Sequence, residues 1–133
     1  MSSNAAFFAI LTEDLTVSDN QIIKFDHVRT NIGQRYDCST GRFSAPFPGC
    51  FVFNVSLVTK PDKRIEVSLE KNGEEWMKMY AGSPQFNGSG ANTTILQLVK
   101  GDEVYIKVNE IYHSDGTLLD GSNFCSFSGF LQK

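Results

Sequence analysis

The chain has 133 residues, of which 41% are hydrophobic and 12% aromatic, which suits one domain with a sizeable core. Its 12 Lys and Arg residues and 15 Asp and Glu residues give a net charge of -3. The chain therefore lacks the positive surface field that attracts nucleic acids. No apolar run approaches the roughly 20 residues of a membrane helix, which argues against membrane insertion.

Alternating apolar and polar residues recur along the chain, and this period of two predicts strands throughout and very little helix. The first predicted strands are residues 7–11 and residues 22–25. The segment GRFSAPFPGCFVF at residues 41–53 then predicts two aromatic strands on either side of a corner. Pro46 and Pro48 fix φ and lack a ladder donor, and Gly49 permits backbone angles that other residues resist, so the chain must turn before Cys50.

The second half of the chain predicts two hairpins and two long loops. Residues 65–69 form a strand, Asn72 and Gly73 supply the left-handed pair of a tight turn, and residues 76–80 return. Residues 81–92 are rich in Gly, Ser and Asn and predict an exposed loop. Strands at residues 94–99 and 104–108 flank a turn at 100–102. Residues 109–123 form the longest predicted connection and residues 124–131 the last strand, which gives eight to ten strands.

Several predicted strands are apolar on both faces, which a sandwich with a fully wet outer surface does not tolerate. In the strand after the corner, Phe51 and Phe53 share one face, while Val52 and Val58 lie on the other. A homo-oligomer covers such a second face economically, because the same chain supplies the missing surface by rotation. Cover by loops of the same chain is the alternative.

The order and spacing of these motifs resemble the C1q domain, the globular head of a complement recognition subcomponent and of many related secreted proteins. The residues that carry the resemblance run nearly from end to end: Ala6, Phe7, Ile23, Phe25, Asn31, Gly33, Tyr36, Asp37, Thr40, Gly41, Phe43, Ala45, Pro46, Gly49, Phe51, Phe53, Asn72, Gly73, Leu98, Gly101, Asp102, Val104, Phe127, Ser128, Gly129, Phe130 and Leu131. The resemblance implies an all-β fold, a ten-stranded jelly-roll β-sandwich similar to that of tumour necrosis factor, assembled as a homotrimer. It also implies a C1q globular domain at residues 6–133, preceded by a tail at residues 1–5.

Aromatic residues supply most of the predicted core and trimer contacts. We assign to these roles Phe7, Phe25, Tyr36, Phe43, Phe51, Phe53, Phe127 and Phe130. The three cysteines, Cys38, Cys50 and Cys125, are predicted to be buried small hydrophobic residues, because their odd number and spacing are typical neither of a disulfide framework nor of a zinc site.

The sequence contains no motif of an enzyme active site: no G-x-S-x-G elbow, no P-loop and no H-E-x-x-H. His27 is a lone histidine near a strand end, where a structural role is usual. We predict no catalytic residue, no metal ligand and no cofactor. Calcium stays open through the family alone, since some members bind it at the trimer apex through acidic side chains. The corresponding residues 81–92 contain no Asp or Glu here.

Two surface segments are candidate ligand-binding elements. The connection at residues 109–123 is long and polar, and it carries Tyr112, His113, Asp115 and Asp120, of which the Tyr ring can stack on a sugar while carboxylates accept its hydroxyl donors. A basic patch around Pro61 can engage acidic sugars or lipid phosphates through Lys60, Lys63 and Arg64. A merely flexible loop, and a hairpin tip charged for solubility, explain the same residues.

The resemblance implies a secreted, non-enzymatic, lectin-like recognition protein, a trimer that binds microbial, glycan or anionic surface patterns in innate immunity. The alternative is a cytokine-like or cell-organising trimer that binds a protein receptor. The start Met-Ser-Ser-Asn lacks the charged head and apolar middle of a secretory signal, so an extracellular location is an expectation from the family. Neither nucleic acid nor a membrane interior is an expected partner.

Overall fold

The computed structural model describes residues 4–111 and 116–133, and these form two antiparallel β-sheets without a helix. The strands of this described part are β1 Ala6–Ile10, β2 Leu15–Val17, β3 His27–Ile32, β4 Tyr36–Asp37, β5 Arg42–Ser44, β6 Gly49–Thr59, β7 Lys63–Lys71, β8 Glu74–Ser83, β9 Gly88–Leu98, β10 Glu103–Val108, β11 Thr117–Leu119 and β12 Ser126–Gln132. The predicted all-β sandwich is confirmed, with very short strands such as β4 raising the count above ten.

Strands that are distant in sequence lie side by side in both sheets. The front sheet has seven strands in the order β2-β11-β6-β12-β1-β3, with β9 paired to the other edge of β6. The back sheet has five, in the order β4-β5-β10-β7-β8. The last strand thus lies between the first strand and the central β6, a connection typical of a jelly roll.

The core between the sheets is filled by alternate residues, as in β6, where every second side chain from Phe51 to Thr59 is buried. An aromatic cluster lies at its centre: the ring centroid of Phe7 is 4.9 Å from those of Tyr36 and Phe127. Of the aromatic residues assigned to core or trimer contacts, the structure buries Phe7, Phe25, Tyr36, Phe43, Phe51, Phe53 and Phe127 within the single chain. Burial of each large apolar side chain stabilises the fold by about 1.5–3 kcal/mol.

Glycine at position 129 makes room for this cluster. A Cβ on Gly129 would lie 2.6 Å from the ring of Phe53 and 2.8 Å from the ring of Phe7. Strand β12 therefore passes beneath the rings only because it carries no side chain there.

The predicted corner carries the chain from β5 in the back sheet to β6 in the front sheet. The prediction that Gly49 supplies an unusual backbone angle at this corner is wrong, because its φ is not positive. A Cβ on Gly49 would lie 2.7 Å from Cδ1 of Leu131, so the position requires space and not an unusual backbone angle. The predicted hairpin turn at Asn72 and Gly73 is confirmed, with φ of 51° and 86° between β7 and β8.

The prediction of an exposed loop at residues 81–92 is wrong for most of its length. Strand β8 continues to Ser83 and β9 begins at Gly88, so the loop is limited to residues 84–87. A Cβ on Gly88 would collide with the backbone of Gly82, and one on Gly90 with the carbonyl of Tyr80. These glycines allow two strand backbones to approach closely, and composition alone does not distinguish that role from a loop.

Two further predictions are corrected by the hydrogen bonding. The strand predicted at residues 22–25 is reduced to one bridge between Ile22 and Lys107, although Ile23 and Phe25 are fully buried. The alternation of apolar and polar residues at positions 22–25 therefore reflects burial of Ile23 and Phe25 and not pairing with another strand. The connection predicted at residues 109–123 contains β11, whose Thr117 and Leu119 are buried.

The residue before β1 also packs into the fold. Ala5, which the sequence assigns to the tail, is buried, and its carbonyl accepts a hydrogen bond of 3.0 Å from the amide of Leu131.

Candidate functional site

The outer face of the front sheet carries a line of apolar side chains. Cross-strand pairing places one residue from each of five adjacent strands in register: Ile32, Ala6, Phe130, Val52 and Ile95, which together we call the apolar row. Three members are well exposed in the single chain, Ile32 at 48%, Phe130 at 46% and Ile95 at 63%. Phe8 lies one step along β1 on the same face and is 40% exposed. A contiguous exposed apolar surface of this kind marks an interaction site.

The outer face of the back sheet carries hydrogen-bonded polar groups together with the exposed rings of Trp76 and Tyr80. Tyr105 donates a hydrogen bond of 3.0 Å to Oε1 of Glu70, whose other oxygen lies 3.6 Å from Nζ of Lys107. Asn109 donates to Oγ of Ser68 at 2.8 Å. The difference between the two faces is one of continuity, because the apolar row crosses five neighbouring strands of the front sheet in register.

A pocket of about 410 Å³ opens where the start of β7 meets the end of β8. Register pairs Lys63 with Ser83 and Arg64 with Gly82, so both predicted basic residues lie at this pocket. The described residues that line it are Asp62, Lys63, Arg64, Tyr80, Gly82, Ser83 and Pro84. We call it the β7–β8 pocket.

Lys60, the third residue of the predicted basic patch, is directed elsewhere. Its Nζ lies 3.2 Å from Oδ2 of Asp120 and 3.7 Å from Oδ2 of Asp14. Asn87 also donates to Oδ2 of Asp120, at 3.0 Å. This Lys60 junction ties together the loops that follow β1, β6, β8 and β11, and it joins two of the predicted ligand-binding residues to each other.

Charge pairing shifts the protonation equilibria of the Lys60 junction. The hydrogen bond to Asp120 raises the pKa of the Lys60 ammonium. Burial by itself raises the pKa of the Asp120 carboxyl, but hydrogen bonds from Ser122 and Lys60 outweigh it, and the net shift of the pKa is downward. Both groups are therefore charged at neutral pH.

Three of the predicted ligand-binding residues, Tyr112, His113 and Asp115, lie outside the described residues. Phe130 is the one assigned aromatic residue that the structure places on the outer face, in the apolar row. Sequence reasoning missed Tyr80, Asp62 and Ser83 as companions of Lys63 and Arg64. The signal was the hairpin register, which brings residue 80 opposite residue 66 and residue 83 opposite residue 63.

The cysteines occupy three different environments and are all free thiols. Cys125 is buried as predicted, and burial raises the pKa of its thiol to about 11. The prediction of burial is wrong for Cys38, which is exposed in the turn after β4, and Cys50 at the start of β6 is only partly buried.

Two absences concern only residues 4–111 and 116–133. Within this part, no group of three His, Cys, Asp or Glu side chains is placed to hold a metal ion. Nor does it include a helix of the length and apolar character that crossing a membrane requires.

Comparison with known proteins places the chain in a family. The C1q domain model matches residues 6–132, and the chain belongs to the C1q domain family. "Complement C1q tumor necrosis factor-related protein 3" of Mus musculus is 35% identical over 129 residues, which cover 95% of this chain and 50% of the relative. "Heavy metal-binding protein HIP" of Mytilus edulis is 36% identical over 107 residues, which cover 79% of this chain and 50% of the relative. The chain thus spans about half the length of these curated relatives.

Solved structures share the fold at low sequence identity. The globular domain of zebrafish complement 1qA protein has a TM-score of 0.81 at 20% identity and covers 97% of this chain and 98% of that chain. The crystal structure of murine APRIL at pH 5.0 has a TM-score of 0.75 at 12% identity, and the match covers 98% of this chain and 100% of APRIL's chain. The predicted C1q-type jelly roll is confirmed. Members of these domain families are non-enzymatic ligand-binding proteins, so the prediction that the chain is not an enzyme is confirmed at the level of the family.

Proposed function

We propose that the chain is the recognition domain of a secreted homotrimeric protein that binds glycan or anionic patterns on microbial surfaces in innate immunity, in the manner of a lectin. The observation that carries the proposal is the apolar row, which crosses five strands of the front sheet in register. Three side chains of this row, Ile32, Phe130 and Ile95, are exposed in the single chain, and a continuous apolar surface of this kind calls for cover. Family membership supports a threefold assembly as the form that this cover takes.

Threefold assembly gives weak sites a useful affinity. Three copies that close on the front sheet leave the back sheet outside, so the β7–β8 pocket stays open to solvent in each copy. Linking identical sites raises apparent affinity by roughly a hundredfold or more when they engage one surface together. A repetitive polysaccharide or a bacterial surface presents ligands in the required arrangement.

The experiment has two parts, assembly and ligand. Sedimentation velocity of the purified domain at micromolar concentration is expected to give a single trimeric species. A panel of bacterial polysaccharides, acidic and neutral glycans and anionic lipid vesicles, probed with and without calcium, is expected to show binding to acidic glycans that does not require calcium. A monomer throughout the concentration series, or a panel without any binding, would contradict the proposal.

The competing function is a trimeric ligand for a protein receptor. The similarity to murine APRIL concerns the fold alone and does not select it. A panel without glycan binding, together with nanomolar capture of a purified receptor ectodomain, would replace the proposal by this alternative.

A further inference from the structure

Three segments of the chain carry the Asn-x-Ser/Thr sequon of N-linked glycosylation, with a residue other than Pro in the middle. They begin at Asn54, Asn87 and Asn92. A sequon is used only in a chain that enters the secretory pathway, so this inference rests on the proposed function. A glycan is bulky and has to stand in solvent, and the fold therefore decides which of the three asparagines can carry one in the assembled protein.

Asn54 lies in the middle of the front sheet, on the face that the proposed trimer covers. It pairs with Ser128 on β12 and with Thr93 on β9, and it shares its face with Val52 of the apolar row, two residues earlier. Its Nδ2 donates a hydrogen bond of 2.7 Å to Oγ1 of Thr93. A glycan at this position would hold the copies apart, so an assembled trimer excludes it.

The side-chain amide of Asn87 belongs to the Lys60 junction. Its Nδ2 donates a hydrogen bond of 3.0 Å to Oδ2 of Asp120, and the same oxygen lies 3.2 Å from Nζ of Lys60. The Asp120 side chain is only 5% exposed. The next residue, Gly88, packs backbone to backbone with Gly82. A sugar on Nδ2 of Asn87 would crowd this closely packed junction, and the folded chain disfavours it.

Strands β8 and β9 separate as they approach Asn92. At Gly88 and Gly90 the β9 backbone is so close to residues 80–82 that an added Cβ would collide with it. Two residues further along β9, Asn92 has room for a complete side chain, and its Nδ2 donates a hydrogen bond of 2.9 Å to the carbonyl oxygen of Lys78. Position 92 is therefore the first on this side of β9 at which a side chain fits beside β8.

The Asn92 side chain points away from the apolar row and is exposed. Asn92 pairs with the buried Val55, whereas the next residue, Thr93, shares the outer face with Ile95 of the row. Its Oδ1 accepts a hydrogen bond of 2.9 Å from the amide of Thr93, which fixes the orientation of the side chain. Nδ2 carries two protons, and the bond to Lys78 uses one of them, so the other can be replaced by a sugar.

We propose that Asn92, alone among the three sequons, carries an N-linked glycan in the secreted trimer. The donor is an oligosaccharide joined to a lipid through pyrophosphate, and a transferase of the secretory pathway catalyses the transfer. Nδ2 of Asn92 forms a bond to the anomeric carbon of the first sugar, while the bond from that carbon to the pyrophosphate oxygen breaks. The lipid pyrophosphate leaves, and the amide proton passes to a base. The glycan then stands beside β8, the edge strand of the back sheet, and clear of the apolar row.

The test directs the full chain into the secretory pathway of a eukaryotic cell line with a cleavable leader, and the protein is isolated from the medium. Peptide-N-glycosidase in heavy-oxygen water converts each glycosylated asparagine into labelled aspartate, and mass spectrometry of the peptides locates the label. The label is expected at position 92 and at neither position 54 nor position 87.

Three matched variants each remove one sequon through its hydroxyl residue and leave the asparagine in place. Thr94→Ala is expected to abolish the glycan, whereas Ser56→Ala and Ser89→Ala leave it unchanged. Two controls keep the sequon at Asn92 and should keep the glycan. Thr93→Ala makes the same change at the middle position, and Thr94→Ser retains the hydroxyl group.

Label at position 54 or 87, absence of label from position 92, or a glycan that survives Thr94→Ala would each overturn the inference. The proposed function fails on different results. A chain that is glycosylated at Asn92 but stays monomeric, or binds nothing on the panel of glycans and vesicles, contradicts that function and leaves the glycosylation site standing. A secreted trimer that binds acidic glycans but carries no glycan at Asn92 does the reverse.

Discussion

A charge at the centre of the apolar row should dissociate the proposed trimer. Phe130 lies in the middle of this row, on β12, and is 46% exposed in the single chain. A buried Phe side chain removes about 150–250 Å² from water, so cover of this exposed part removes about 70–115 Å² more. At about 25 cal/mol per Å² this amounts to about 2–3 kcal/mol for each copy.

The effect on assembly follows from the stoichiometry. Three copies lose about 6–9 kcal/mol on Phe130→Asp, by the same area estimate. The midpoint concentration of a monomer–trimer equilibrium varies with the square root of its constant. Since about 1.4 kcal/mol corresponds to a tenfold change, the midpoint should rise by roughly a hundred- to a thousandfold. The desolvation of the new carboxylate increases the effect further.

Sedimentation velocity over a concentration series measures this midpoint. The control is Trp76→Asp, because Trp76 is exposed to nearly the same degree, 48%, but lies on the back sheet at β8. The control is expected to sediment as the unaltered protein does. A Phe130→Asp variant that stays trimeric at the same concentration, or a Trp76→Asp variant that dissociates equally, would refute the assignment of the interface. Circular dichroism of both variants checks that the sheets have formed.

The remaining predictions concern stability and thiol chemistry. The folded-state pKa of Asp120 lies below its ordinary value of 3.8, so its ion pair with Lys60 stabilises the fold fully above about pH 4 and is lost as the pH falls through the folded-state pKa. In thermal melts, Asp120→Asn should lack this loss of stability at acid pH. Gly129→Ala should lower the free energy of unfolding in urea by about 1–3 kcal/mol, since the added Cβ meets two phenylalanine rings, and an unchanged midpoint would contradict that packing. Iodoacetamide should modify the exposed Cys38 rapidly and leave Cys125 intact at pH 8, because burial raises the pKa of the Cys125 thiol to about 11. Mass spectrometry of the labelled native protein measures modification at both cysteines. Early labelling of Cys125 would count against its burial.

Patterns with a local cause could be predicted from the sequence. The Asn72–Gly73 turn is one, because the left-handed backbone angles it requires are a property of those two residues. The inward face of β6 is another, because alternation places Phe51, Phe53 and every second residue after them on one side of any strand. The candidate site was predicted only in part: the segment containing Lys63 and Arg64 was identified, but Lys60 was grouped with them.

Positions 82, 88 and 90 show where local information fails. A glycine-rich stretch is typical of a loop, yet here it allows β8 and β9 to pass with their backbones in contact. The same holds for Ile23 and Phe25, whose alternation reflects burial without strand pairing. In each case the conformation is fixed by a neighbour on another strand, such as Gly82 for Gly88 and Lys107 for Ile22, and not by the adjacent residues.

By itself the sequence determined the fold class, the family and the existence of two sheet faces, because periodicity, turn residues and motif order are encoded in neighbouring positions. Only the tertiary structure decided what each surface carries. Pairing between strands far apart in sequence aligns Ile32, Phe130 and Ile95 in one exposed row. Lys60 forms an ion pair with Asp120, which is distant in sequence, and so does not join Lys63 and Arg64. The β7–β8 register instead places Tyr80 at the same pocket as Lys63 and Arg64. These arrangements depend on contacts across the fold, which no short segment of the chain specifies.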